Sequence, residues 1–168
     1  MATLARFLAV LGWIPLAVSC TALFGLMIMT FADVVLRSAL SAPIEAAPEL
    51  TRIAVAVVVF GSLPVLSARG GHISVDLLDP LFDRAGVTRV WNGFMAIACG
   101  VILWWPANRV VDLAERSRSY GDLTEFLELP VHLVSWAIAI LTFATMAALI
   151  LRGFALLFVP ALVVDPDQ

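Results

Sequence analysis

The chain has 168 residues, of which 62% are hydrophobic and 14% are charged, and its mean hydropathy is +1.02. A soluble domain typically has about a quarter of its residues charged, so this composition excludes an ordinary soluble enzyme. The net charge of −3 is ordinary for an integral membrane protein whose charges lie in its loops, and no nucleic-acid partner is expected.

The charged residues are separated by long uncharged stretches, at residues 7–32, 53–68, 90–108 and 129–151. A membrane-spanning helix needs about 20 mainly apolar residues. The second stretch is short, but Leu50 and Thr51 extend it, while Arg52 and Arg69 can reach toward the two interfaces. We therefore predict an all-α integral membrane protein with one membrane domain over residues 1–168. Its four transmembrane helices are predicted at about residues 7–32, 50–68, 90–116 and 130–152.

The ends of the first two helices carry recognisable signals. The first apolar stretch is closed by the sequence DVVLR, residues 33–37. Pro48 followed by Glu49 predicts the start of the second helix, because proline suits the first turn and an acid complements the positive end of the helix dipole.

The segment between the second and third helices is too charged to span a membrane. Ile73, Leu77 and Leu81 recur at helical spacing, while Asp76 and Asp79 fall largely on the other side. This pattern predicts a short amphipathic helix at about residues 73–85 that lies in the membrane interface.

Catalysis inside the membrane would require polar side chains that converge at mid-depth, since ionisable groups there usually mark function. Asp33, Glu49, Asp112 and Glu128 all fall at helix ends or beyond, which favours interfacial caps and loop charges. A proton-coupled exporter would be expected to carry a carboxylate within a helix, and none is available. The two histidines, at 72 and 132, are too few and too near the helix ends to sandwich a haem. We predict that the chain is not an enzyme and that it holds no metal and no cofactor.

The sequence ARGGHISVD predicts a corner rather than a catalytic loop. Arg69 complements the negative end of the second helix, and Gly70 and Gly71 allow the chain to leave it with positive φ. His72 can bond an interfacial group, and Asp76 falls in the first turn of the predicted interfacial helix.

Several of these pieces together resemble the small, DctQ-like membrane subunit of tripartite ATP-independent periplasmic (TRAP) transporters. The resemblance covers nearly the whole chain, and its most specific element is Arg-x-Gly-His-Ile-x-Val-Asp after the second helix. Before it come DVVLR and PELTR, and near the fourth helix stands LELPVHLVSWAIAI. The residues that match the family's motifs are Asp33, Arg37, Glu49, Arg52, Gly61, Arg69, Gly71, His72 and Asp76.

The resemblance implies a secondary transporter with three kinds of component. A periplasmic binding protein captures an organic anion, often a carboxylate, and a large multi-span subunit carries the substrate and the coupling ion, usually Na⁺. The small subunit is a required companion of the large one in the bacterial inner membrane, in contact with membrane lipids, and both of its termini are cytoplasmic. Arginine counts leave this orientation open, since five arginines would lie on each side.

Within that family, the absence of intramembrane charge favours a scaffold role for this chain. The mixed-charge loop after the third helix is a candidate docking surface for the binding protein, with Arg109, Glu115, Arg116, Arg118 and Glu125 as its charged members. The alternative interpretation is an anchor subunit of a respiratory complex that holds quinone or haem, which a haem absorbance band would reveal.

Overall fold

The computed structural model describes residues 2–71 and 88–158 of the chain. The described part is helical, with α1 at Ala2–Leu40, α2 at Ala47–Arg69, α3 at Thr88–Ile102, α4 at Trp104–Tyr120 and α5 at Val131–Phe158. The interfacial helix predicted at residues 73–85 lies outside the described residues, as do His72 and Asp76.

Over residues 2–71 and 88–158, the prediction of a helical chain with four helices able to span a membrane is confirmed. Four helical stretches are long and apolar enough to cross a membrane: Pro15–Leu40, Ala47–Arg69, Val90–Tyr120 and Val131–Phe158. Large apolar side chains lie on their outer surfaces, with Phe31 and Ile102 each 71% exposed and Trp105 78% exposed. In water such surfaces would associate, whereas in a bilayer they contact lipid tails.

The first helix is longer than its uncharged stretch. It continues through Asp33 and Arg37 to Leu40. The two charged side chains form an ion pair of 2.9 Å one helical turn apart, so their charges are paired on the helix surface. The chain then turns at Ser41, which has a φ of 51°.

The third span is divided into α3 and α4 at Leu103, three residues before Pro106. Proline has no amide hydrogen to bond the carbonyl of Ile102, and its ring clashes with that carbonyl. The helical hydrogen bonds from Leu103 to Cys99, of 3.1 Å, and from Ala107 to Leu103, of 3.0 Å, hold on either side of the break.

Two helices end in the same capping arrangement. After α2, the Gly70 amide bonds the Ser67 carbonyl, the Gly71 amide bonds the Leu66 carbonyl, and Gly70 has a φ of +68°. After α4, Gly121 has the same φ and the same pair of bonds. This is the Schellman motif, whose left-handed residue is usually glycine. The expectation of positive φ is correct for Gly70 and wrong for Gly71, since only the residue directly after the helix end must reverse the chain.

The chain divides into two compact units, and the first contains Met1–Ser62 and Arg109–Ile140. Within it, α1 and α2 pack closely where Gly61 faces Ser19. A Cβ at position 61 would lie 2.7 Å from the Ser19 Oγ, which itself donates a 3.4 Å hydrogen bond to the Val57 carbonyl. Only glycine allows this approach of the two helices without displacement of the serine.

The second unit contains Leu63–Asn108 and Leu141–Gln168. Its described part is organised around a close crossing of α3 and α5. A Cβ at Gly153 would meet the Gly93 carbonyl at 2.8 Å, and a Cβ at Gly100 would meet the Met146 carbonyl at 3.3 Å. These small residues bring two backbones into contact, which is the usual way for helices to pack in lipid. Trp104 and Phe143 add an edge-to-face contact, with ring centroids 6.1 Å apart.

Candidate functional site

The most elaborate polar arrangement in the first unit is built around Glu49, near the start of α2. Its carboxylate accepts hydrogen bonds from the Phe126 amide at 2.8 Å and the Leu127 amide at 3.0 Å. The residue is only 8% exposed. Both donors belong to the loop at residues 121–130, so one buried acid near the start of α2 holds a loop that follows α4.

That loop, which we call the clamped loop, is also tied to itself. The Thr124 amide bonds the Leu129 carbonyl at 2.9 Å, and the Leu129 amide bonds the Thr124 hydroxyl at 3.1 Å. The Val131 amide then reaches back to the Asp122 carbonyl at 3.1 Å. Glu128 adopts a φ of 51°, which reverses the chain before α5. Because its polar backbone groups are paired, the clamped loop is an ordered platform.

Asp33 performs a similar task at the other end of the α1–α2 connection. Its carboxylate accepts a 2.8 Å hydrogen bond from the Ile44 amide and a 2.9 Å bond from the Arg37 guanidinium. Asp33 is 9% exposed, whereas the Arg37 side chain is 66% exposed. This acid therefore fixes the connection between α1 and α2. It does so from within α1, and Asp112 likewise lies inside α4, whereas both were expected at helix ends or beyond.

The remaining motif residues that the structure describes lie on α2 or directly after it. Gly61 is buried at the α1–α2 crossing, and Arg52 is exposed on α2. Arg69 is the last residue of α2, where its charge complements the helix dipole. The Gly71 amide completes the cap of that helix, and a Cβ at this position would lie 2.8 Å from Leu66.

The arginine of α5 defines a further contact in the second unit. The guanidinium of Arg152 occupies the place that a Cβ at Gly70 would take. Its Nε atom is buried and forms no hydrogen bond within the described chain. Position 70 therefore needs glycine for two reasons: the φ is left-handed, and the Arg152 guanidinium fills the space that a side chain would need.

The predicted docking charges form a band of exposed side chains along α4 and the clamped loop. Arg109 lies 3.8 Å from Asp112, and Arg118 lies 3.9 Å from Glu115. Both pairs are more than half exposed, so each contributes little to stability. Arg116 lies on the same helix and Glu125 on the clamped loop, and both are exposed. All five predicted docking residues therefore have exposed side chains.

The geometry indicates positioning rather than reaction chemistry. Across residues 2–71 and 88–158, no cluster of three or more histidine, cysteine or acidic side chains could hold a metal ion. The buried acids Asp33 and Glu49 instead bind backbone amides of the chain itself. Such a carboxylate stabilises a loop, and because both acids are nearly inaccessible from outside the chain, neither is well placed to bind a ligand.

The sequence identified Glu49 as a helix-start residue but did not reveal that it holds the clamped loop. The Glu49–Phe126 bond joins residues 77 positions apart. Helical periodicity carries no information at such a separation. Two local features were visible in the sequence: an acid beside an apolar stretch, and the loop sequence TEFLELP. Nothing in either one indicates that they contact each other.

The fold and the site define a class of protein: a multi-pass membrane protein whose described buried acids brace loops. Comparison with protein families then gives a match to "Tripartite ATP-independent periplasmic transporters, DctQ component" over residues 26–159. The chain belongs to this family, the small membrane subunits of TRAP transporters. It is a transporter component of the inner membrane and not an enzyme.

Comparison with curated proteins and with solved structures gives no significant match. The family match covers α2 to α5 completely, up to Phe158, together with the later part of α1. It gives no support to the alternative of a respiratory anchor subunit.

Proposed function

We propose that this chain is the non-catalytic scaffold of a TRAP transporter that imports an organic anion, a carboxylate, with Na⁺ coupling. It supports the large multi-span subunit, which carries substrate and ions, and helps to dock the periplasmic binding protein. The family match supports a complex of this kind, since its description names a periplasmic transporter component.

One observation carries the scaffold role: the buried acids of the described chain are already engaged by the chain's own backbone. Glu49 accepts two amide hydrogen bonds and Asp33 accepts one together with an ion pair. Na⁺ and carboxylate substrates both require uncommitted charged or polar groups at membrane depth. The partner subunit is therefore the better candidate for the transport site.

The proposed orientation places both termini in the cytoplasm. The α1–α2 connection and the clamped loop then face the periplasm, together with the charged end of α4. In this arrangement the braces at Asp33 and Glu49 shape the surface that the binding protein meets.

Reconstitution tests the scaffold role. The large subunit is placed in liposomes, with or without this chain, and a Na⁺ gradient and saturating binding protein are supplied. Uptake of a labelled carboxylate is then measured. We expect uptake only when the chain is present, and none from the chain with binding protein but without the large subunit. Full uptake by the large subunit alone would refute the scaffold role, and uptake by this chain alone would place the transport site here.

Charge reversal tests the docking surface. The pair Arg116→Glu and Arg118→Glu is expected to weaken binding-protein docking and to raise the concentration of binding protein needed for half-maximal uptake. The matched pair Arg116→Lys and Arg118→Lys keeps the charge and is expected to preserve docking. Unchanged uptake and docking in the reversed pair would remove this surface from the proposal.

A further inference from the structure

A cleft of about 510 Å³ opens in the first unit beside the clamped loop. Its wall includes Ile53 and Ala56 from α2 and Val134 and Ile138 from α5. Its rim carries two exposed, oppositely charged side chains, Arg52 and Glu125. We call this feature the Arg52–Glu125 cleft.

The apolar wall runs along the two spans from their starts. Ala56 is nine residues beyond Ala47, and Ile138 is seven beyond Val131, which at 1.5 Å per residue correspond to about 14 Å and about 11 Å of helix. Half of a bilayer's hydrocarbon core is about 15 Å thick. The wall thus has the length and the polarity to lie beside an acyl chain.

The rim presents one charge of each sign, and neither has a side-chain partner among the residues that the structure describes. Within the described part of the chain, neither the Arg52 guanidinium nor the Glu125 carboxylate forms an ion pair or a side-chain hydrogen bond. The other acid of the cleft, Glu49, is committed to the Phe126 and Leu127 amides. A ligand that satisfies both charges therefore needs an anionic and a cationic group in one head group, joined to an apolar chain.

We propose that the Arg52–Glu125 cleft binds one molecule of phosphatidylethanolamine. The Arg52 guanidinium holds the phosphate, for which its planar fork of donors is well suited. The Glu125 carboxylate accepts the ammonium group, and an acyl chain lies against Ile53, Ala56, Val134 and Ile138. Phosphatidylglycerol offers the phosphate but no ammonium, so it leaves Glu125 unpaired at the rim.

This site goes beyond the scaffold role and does not depend on the direction in which the protein is inserted. It also sharpens the docking surface, because a lipid-bound Glu125 is not available to the binding protein. The docking charges are then those of α4 alone.

Lipid competition tests the site. The full chain, purified in complex with its large subunit, is equilibrated with equal amounts of phosphatidylethanolamine and phosphatidylglycerol, and bound lipid is measured by native mass spectrometry. We expect retention of phosphatidylethanolamine over phosphatidylglycerol by about fivefold, the size of effect that one exposed charge pair can supply.

The two rim residues give different expected outcomes. Glu125→Gln should remove the preference between the two lipids, whereas Arg52→Gln should lower the retention of both. Glu45→Gln, an exposed acid outside the cleft, serves as the matched control and should retain the wild-type preference. Equal retention of both lipids by the wild type, or an unchanged preference in Glu125→Gln, would overturn the proposal.

The position of the lipid is tested by a phosphatidylethanolamine that carries a photoreactive diazirine on its acyl chain. We expect labelled peptides to include the stretches around Ala56 and Val134. Ala56→Phe places a large side chain in the cleft and is expected to abolish that labelling. The same labelling is measured in the isolated chain and in the complex with the large subunit. If it occurs in the isolated chain and disappears in the complex, the cleft is filled by a side chain of the large subunit and not by a lipid. Labelling that persists in Ala56→Phe would likewise overturn the site.

Discussion

Glu49 and Phe126 lie 77 residues apart in sequence, yet a 2.8 Å hydrogen bond joins the carboxylate of one to the amide of the other. Together with the 3.0 Å bond to the Leu127 amide, this contact makes the start of α2 and the clamped loop a single surface. The docking charges and the Arg52–Glu125 cleft both belong to this first unit.

The first prediction concerns this contact. Glu49→Gln replaces one of the two accepting oxygens by an NH₂ group, which turns a donor toward one of the two loop amides. We expect faster hydrogen exchange at Phe126 and Leu127, because the clamped loop opens more often. Hydrogen exchange read by mass spectrometry on the full chain measures this.

The control for that substitution is Glu45→Gln, which also removes an acid near the start of α2 but from an exposed position. It should leave exchange of the clamped loop unchanged. Equal acceleration by both variants would show that lost negative charge, and not the amide contact, governs the loop.

The second prediction uses the two glycines that end α2 and α4. Gly70 and Gly121 share a φ of +68°, but a Cβ at Gly121 meets nothing within 4 Å while one at Gly70 meets the Arg152 guanidinium. Alanine at either site costs about 1–2 kcal/mol for the left-handed conformation. We expect Gly70→Ala to lower the thermal unfolding midpoint in detergent further than Gly121→Ala.

Removal of the arginine should separate the two costs at position 70. In an Arg152→Ala background, Gly70→Ala is expected to cost no more than Gly121→Ala does in the wild type, because the space is then open. If Gly70→Ala is equally harmful with and without Arg152, the contact between the two residues has no energetic role.

The third prediction concerns the α1–α2 crossing. Gly61→Ala places a methyl group 2.7 Å from the Ser19 Oγ, and overpacking of this kind typically costs about 1–3 kcal/mol. Ser19→Ala removes the obstructing hydroxyl. We expect the double variant to be more stable than the sum of the single effects predicts, with a coupling of about 0.5–3 kcal/mol. Strict additivity in thermal unfolding would contradict this geometry.

The fourth prediction concerns the close crossing of α3 and α5. Gly153→Ala brings a methyl group to 2.8 Å from the Gly93 carbonyl, which is backbone and cannot rotate away. We expect a loss of stability of about 1–3 kcal/mol. Gly25→Ala is the matched control, since its Cβ meets nothing within 4 Å in the interior of α1.

For that control we expect a neutral effect, or a gain of about 0.5–1 kcal/mol, because alanine restricts the unfolded chain and favours the helix. Both variants are measured by thermal unfolding of the purified chain in the same detergent. A loss in Gly25→Ala as large as that in Gly153→Ala would mean that glycine itself, and not the crossing, determines the effect.

Much of the fold could be predicted from local sequence. A membrane-spanning helix forms its backbone hydrogen bonds within itself, and it is recognised by the length of its apolar stretch. The break at Leu103 follows equally from Pro106, because proline has no amide hydrogen for the Ile102 carbonyl. The family motif around Arg69 and Gly71 was readable for the same reason, since neighbouring residues carry it.

The candidate site was only partly predictable. Glu49 and Arg52 were identified as motif residues. Their sequence neighbours do not show that Glu49 binds two backbone amides, or that Arg52 has no ion pair with any residue that the structure describes. The predicted docking charges on α4 have exposed side chains, and their role in docking stays a prediction. The apolar wall beside Glu125 could not be predicted, because it requires α2 and α5 to be brought together.

The sequence by itself determined that this is a four-span membrane protein and which family its motifs resemble, because apolar length and short motifs are properties of consecutive residues. Tertiary structure alone decided which acid holds which loop, which glycines lie at helix crossings, and where an apolar wall meets two charges that are unpaired within the described part of the chain. The physical reason is that each of these depends on distances between residues far apart in the chain, such as Glu49 and Phe126 or Gly93 and Gly153. No periodicity within one helix records such a distance.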